Sequence, residues 1–139
     1  MRVEVGSLPL LNFVVPGGIH AMEVHLNPEE RAAAVERLVR AIYPQGNETL
    51  WSQVGLTYGA IVDGLLSDGV YFFGIGLYAI DEGVAHCSVN VVVTESGHTH
   101  PDVAARGIKE VLQQEERRDV RWLDLPCGPA VSAISFVAL

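Results

Sequence analysis

Apolar positions along this chain recur in two periods, two residues in some stretches and three to four in others, and the changes between them mark its elements. Residues 3–15 read as one or two strands, interrupted near Pro9 because proline brings no N–H to a ladder. Pro16-Gly17-Gly18 is a tight-turn sequence, and Ile19 to Leu26 follows as the second arm of a hairpin. Alternation in that arm sets Met22, Val24 and Leu26 on one face, with Glu23 and His25 on the other.

Asn27-Pro28-Glu29-Glu30 is a helix start. Asn27 can accept from the free N–H groups of the first turn, Pro28 has its φ preset, and Glu30 stands at the capping-box position. This helix should run to about Tyr43, bury Val35, Leu38, Val39 and Ile42, and stop at Pro44. A second should begin after Asn47. Trp51, Val54, Tyr58, Ile61, Val62 and Leu65 form its apolar stripe, and Ser67-Asp68-Gly69 ends it.

Val70 to Ile80 then predicts a long strand, turned by Asp81-Glu82-Gly83 into a return strand. In the return strand Ala85, Cys87, Val89, Val91 and Val93 share one face, and His86, Ser88, Asn90 and Thr94 the other. The hairpin is expected at the centre of the sheet, with helices on one face; the face bearing His86, Ser88 and Asn90 is expected to be wetter or to meet a partner. A third helix from Pro101 should bury Ala104, Ile108, Val111 and Leu112. Strands over residues 120–125 and 130–137, joined by Pro126-Cys127-Gly128-Pro129, close the chain. Short turns between neighbouring strands imply a largely antiparallel sheet with about three helices, hence the α+β class, and no repeat or linker divides residues 1–139 into more than a single domain.

Charge narrows the partners. The 139 residues carry 17 acidic against 9 basic side chains, a formal net charge of −8. Arg117, Arg118 and Arg121 are interleaved with Glu115, Glu116 and Asp119, so no cationic stripe is expected to hold nucleic acid or an anionic membrane. No apolar run reaches the roughly 18 residues of a membrane helix. The apolar segment from Leu8 to Val15 is not followed by a small-residue cleavage site, so it reads as strand and not as signal peptide. Two cysteines, Cys87 and Cys127, make neither a disulfide framework nor a zinc site, and a reducing cytoplasm is the expected location. The single lysine, with abundant alanine, glycine and valine, suggests a high-GC bacterial source.

Candidate chemistry is sparse. Glu95, His98, His100 and Asp102 form the densest polar cluster, and in an extended segment His98 and His100 would share a side, so that with Asp102 they could chelate a divalent metal. The competing reading is a glycine-containing loop that ends in a helix cap, and the ligand spacing favours it. His20 and His25 lie on different strand faces, and so do His86 and Cys87, which cannot pair directly. Cys127, between two prolines, is the better thiol nucleophile, but no neighbour in sequence would lower its pKa. Asp63, Asp68, Asp81 and Glu82 fall at helix ends and turns, where carboxylates are usually solvated. Gly74 and Gly76 are not followed by the Lys-Ser/Thr of a phosphate loop, and they should instead leave room for a close-packed helix or another subunit. No cofactor motif is found. The long strand is apolar on both faces, with Tyr71, Phe73, Ile75 and Leu77 on one and Phe72 and Tyr78 on the other; this marks either core or an oligomeric interface.

Several segments together resemble a group of small actinobacterial proteins. Phe13-Val14-Val15-Pro16-Gly17-Gly18-Ile19-His20 is similar to their opening strand and turn, with Ile19 where tryptophan is usual. Gly69-Val70-Tyr71 and Leu125-Pro126-Cys127-Gly128-Pro129-Ala130-Val131 are similar to two later segments of the group. The resemblance implies a Mog1/PsbP-type α-β-α sandwich, an architecture that serves as a binding or accessory module without a shared catalytic site. With no assembled catalytic set and a long strand apolar on both faces, the expectation is a non-enzymatic accessory or binding protein acting as a homodimer paired through a sheet or helix surface, with an unidentified protein as a further partner. Two alternatives are a small metal- or thiol-dependent enzyme using the His98/His100 loop, and an adaptor of a bacterial secretion system.

Overall fold

The computed structural model describes residues 2–4 and 12–137, so Pro9 lies outside the described residues. The elements are β1 (Arg2–Glu4), β2 (Asn12–Val14), β3 (Ile19–Glu23), α1 (Pro28–Ile42), α2 (Glu48–Ser67), β4 (Val70–Ile80), β5 (Gly83–Val92), α3 (Pro101–Leu112), β6 (Arg118–Leu125) and β7 (Gly128–Ser135). Among the described residues every strand pairing is antiparallel, which with the helices makes the chain α+β. The chain forms two compact units, one through Val93 and one from Thr94 onward.

In the first unit β1 pairs with β2, and β3, β4 and β5 form a second sheet in that order. This corrects two expectations. The Pro16-Gly17-Gly18 turn does not close a hairpin, because β2 pairs back with β1 while β3 pairs with β4. Gly18, at φ 87, redirects the chain from one sheet to the other. The β4–β5 hairpin is not the sheet centre either: β4 is central and β5 is an edge.

Both long helices start on the asparagines expected. Asn27 Oδ1 accepts from the Glu30 amide at 2.8 Å, and Asn47 Oδ1 accepts from the Leu50 amide at 2.9 Å. Each cap contributes about 1 kcal/mol. Tyr43 ends α1, its N–H bonded to the Val39 carbonyl, and α2 ends at Asp68 and Gly69, the latter at φ 80. Ala34, Val35, Leu38 and Val39 of α1 meet Tyr58 and Val62 of α2 above Met22, Val24, Val70, Phe73 and Ile75 of the sheet side. Ile42 packs at the margin of this core, whereas Ile61 stays 43% exposed although it belongs to the α2 stripe.

The two faces of β4 are both covered through Gly76. Phe73 and Ile75 face the helices, while Phe72, on the opposite face, takes the ring of Phe13 edge-on at 4.9 Å. The strand glycines do not make room for a helix or a second subunit. Ile19 of β3 lies against Gly74, and the Tyr78 ring folds back over Gly76 and reaches the Gly17 carbonyl with its hydroxyl at 3.4 Å.

In the second unit α3 packs on the β6–β7 hairpin. Ala105 is buried and Ala104 and Leu112 half-buried, but Ile108 and Val111 of the expected stripe are exposed. A hairpin of two strands is narrower than the apolar arc of this helix and covers one edge of it. Pro126 and Cys127 form a two-residue loop, so β7 begins at Gly128, two residues before the position expected, with Pro129 opposite Asp124. Proline is compatible with such a two-stranded ribbon because both strands are edges.

Candidate functional site

The β4–β5 turn determines which side chains line the site. Asp81 and Glu82 form a two-residue loop with Asp81 at φ 51, which pairs Ile80 with Gly83 and, counting back, Leu77 with His86, Ile75 with Ser88 and Phe73 with Asn90. Residues opposite each other on antiparallel strands share a face. His86, Ser88 and Asn90 therefore project on the same side as Phe73 and Ile75, the side that carries α1 and α2. The expectation that the helices would cover the opposite, apolar row of β5 is corrected by this register. The helix layer follows the large side chains of β3 and β4, and its contacts with the sheet fall on those two strands.

Because the helices stop short of the edge strand, a groove of about 440 Å³ opens between α2 and β5. Val54, Tyr58, Ile61 and Leu65 of α2 form its apolar wall, Phe73 and Ile75 its floor, and His86, Ser88 and Asn90 its polar wall, with Tyr43 and Thr57 at its margins. An apolar cavity with a few convergent polar groups is the general form of a ligand site. The three polar side chains are exposed and make no hydrogen bond to one another. Along a strand they repeat at about 6.6 Å, too far apart for a proton relay and well spaced for separate contacts with a bound molecule.

Burial pushes the Tyr58 phenol above its ordinary value of 10.0, with the neighbouring Tyr43 phenol adding to the effect. The neutral phenol is thus the form that the folded chain favours. This contribution to stability is present below the unfolded pKa and is lost as pH rises through the higher folded one. Alkaline titration followed by tyrosinate absorbance should show one late-ionising tyrosine that disappears in Tyr58→Phe. Ionisation of all tyrosines together near their ordinary value would contradict the burial of this ring.

A second concavity, about 530 Å³, lies between α1 and α2. Its charges are already matched. Arg31 meets Asp63 at 3.3 Å and the Leu26 carbonyl at 2.8 Å, and Arg40 meets Glu36 at 3.0 Å and Glu48 at 3.1 Å while lying 4.3 Å from the Trp51 ring centre. The hydrogen bond to Glu48 foremost raises the Arg40 pKa, burial opposes it next in size, and Glu36 adds to the rise. This is a seam that joins two helices.

The other sequence candidates stand apart from the groove or from one another. His98 and His100 are exposed, His100 precedes α3 without a side-chain cap bond, and Asp102 lies in the first helical turn. Among the described residues no group of three or more His, Cys, Asp or Glu side chains converges as a metal site. Cys127 is exposed in the β6–β7 loop, and Cys87 is half-buried on the face of β5 away from the groove. His25 stacks on Tyr71 with ring centres 4.1 Å apart, and His20 is exposed on β3. Asp63 is engaged with Arg31, and Asp68 caps α2. No family model matches this chain, and no curated protein or solved structure is significantly similar to it. Among the described residues no helix is long and apolar enough to cross a membrane.

Proposed function

We propose that this protein is a non-enzymatic binding module of the bacterial cytoplasm, that it self-associates, and that its binding site is the groove between α2 and β5. The observation that carries this reading is the pairing of an apolar wall with a separate row of exposed polar side chains along the strand edge. The spacing of His86, Ser88 and Asn90 supports recognition and not catalysis, since a nucleophile and its base need hydrogen-bond contact. The groove chemistry suits an amphipathic or extended molecule that lays an apolar side on Ile61 and Leu65 and offers donors or acceptors to β5. The resemblance of these segments to a group of small actinobacterial proteins, which implies a Mog1/PsbP-type accessory module, points the same way.

A neutral apolar fluorophore, Nile red, tests the groove. Saturable binding of one probe per chain is expected, weakened at least tenfold by Thr57→Trp, which fills the groove from its exposed margin. Unchanged binding in Thr57→Trp, or none in the parent protein, would contradict the reading.

A further inference from the structure

We infer that two copies of the chain pair antiparallel through β5, about a two-fold axis at Ser88, and that each groove is completed by the other copy; this inference rests on the groove being the binding site. β5 is an edge of ten residues whose only ladder partner among the described residues is β4. An edge of that length exposes a row of unused N–H and C=O groups, and proteins usually shield such edges with charge, proline or a bulge. From Gly83 to Val92 there is no Asp, Glu, Lys, Arg or Pro. The opposite edge, β3, is five residues long and carries Glu23. On a chain of net charge −8, a second copy meets repulsion over much of the surface, and this uncharged edge is where approach costs least.

The side-chain order of β5 then selects the partner and the register. Its groove-side row reads Val84, His86, Ser88, Asn90, Val92, apolar at both ends and polar between, with Val84 74% and Val92 53% exposed. A two-fold axis normal to the sheet keeps both helix layers on one side and sets groove-side residues opposite groove-side residues. Centred on Ser88, it places Val84 against the partner's Val92, His86 against the partner's Asn90, and Ser88 against the partner's Ser88. On the other face Cys87 meets the partner's Val89, and Ala85 the partner's Val91. Apolar thus meets apolar and polar meets polar in both rows. Nine paired residues supply about eight to ten backbone hydrogen bonds, close to the roughly ten direct bonds of a stable protein interface. The two sheets become one of six strands, and the two grooves become a single trough whose polar middle is formed by β5 and the partner's β5.

Ser88 is exposed, so its replacement leaves the fold of each copy intact. Sedimentation equilibrium of the full chain should give a dimer. Ser88→Lys and Ser88→Glu should each weaken it at least tenfold by setting like charges face to face, and an equimolar mixture of the two should restore it. In a Cys87→Ala, Cys127→Ala background, Ser88→Cys should form a disulfide-linked dimer on mild oxidation, since directly opposed strand residues lie within disulfide reach. A parent protein that stays monomeric at high concentration overturns the inference. So does a dimer indifferent to charge at position 88, or a parent dimer that crosslinks through Cys87 on the same mild oxidation. A monomer that still binds Nile red in the groove removes the dimer and leaves the binding reading standing.

Discussion

Phe73→Ala should destabilise the first unit by about 3–5 kcal/mol, the range for truncating a buried phenylalanine. Phe73 is 4% exposed at the middle of β4, with the Tyr58 ring 6.5 Å away, centre to centre. Its ring joins α2 to the sheet and forms part of the groove floor, so the loss is expected in stability and in probe binding together. Phe72→Ala is the informative companion. Phe72 is 2% exposed but faces the other way, against Phe13. A similar loss of stability is expected there, with groove binding retained in the folded fraction. Urea unfolding and Nile red titration of the two variants separate the faces. Equal loss of binding in both would mean that the probe does not bind on the helix side.

Gly74→Val should cost about 1–3 kcal/mol through overpacking. A Cβ at Gly74 would lie 2.7 Å from Cγ2 of Ile19 and 3.4 Å from Cβ of Ala21. The Ile19 contact is a branched methyl next to the backbone of a paired strand, so it cannot swing clear without moving β3. Gly64→Ala is the counterpart in the same unit. Nothing lies within 4 Å of a Cβ there and the residue is helical, so alanine should stabilise by roughly 0.5–1 kcal/mol. Opposite signs from two glycine substitutions in thermal unfolding would confirm that steric room, and not backbone freedom alone, sets the outcome at Gly74. A neutral Gly74→Val would show that β3 is looser than its register implies.

Much of this fold was legible because its signals are local. Asn27 and Asn47 cap helices through their own side chains, Pro44 and Gly69 follow helix ends, and the strand from Val70 to Ile80 is bounded by two turn sequences. What was not legible depends on pairing. Nothing near Pro16-Gly17-Gly18 says whether β2 continues into a hairpin or the chain changes sheets, because the competing partner for β3 lies far along the chain, with Ile19 opposite Gly76. The candidate site was half legible. Alternation separates His86, Ser88 and Asn90 from Ala85, Cys87 and Val89, but it does not say which row the helices share. That information was present in the turn. A two-residue loop at Asp81-Glu82 sets Ser88 opposite Ile75, and the bulk of Phe73 and Ile75, continued by Met22 and Val24, demands the helix layer. Apolar character alone pointed to the wrong row, because β5 lies beyond the reach of α2 and its small side chains do not attract that helix.

Residue-resolved mapping of Nile red binding by amide chemical shifts distinguishes the groove between α2 and β5 from the seam between α1 and α2 as the binding site. Shifts are expected at Thr57, Ile61, His86, Ser88 and Asn90, with little change along the outer seam at Glu36, Arg40 and Glu48. Shifts centred on that seam, or spread evenly over the first unit, would contradict it.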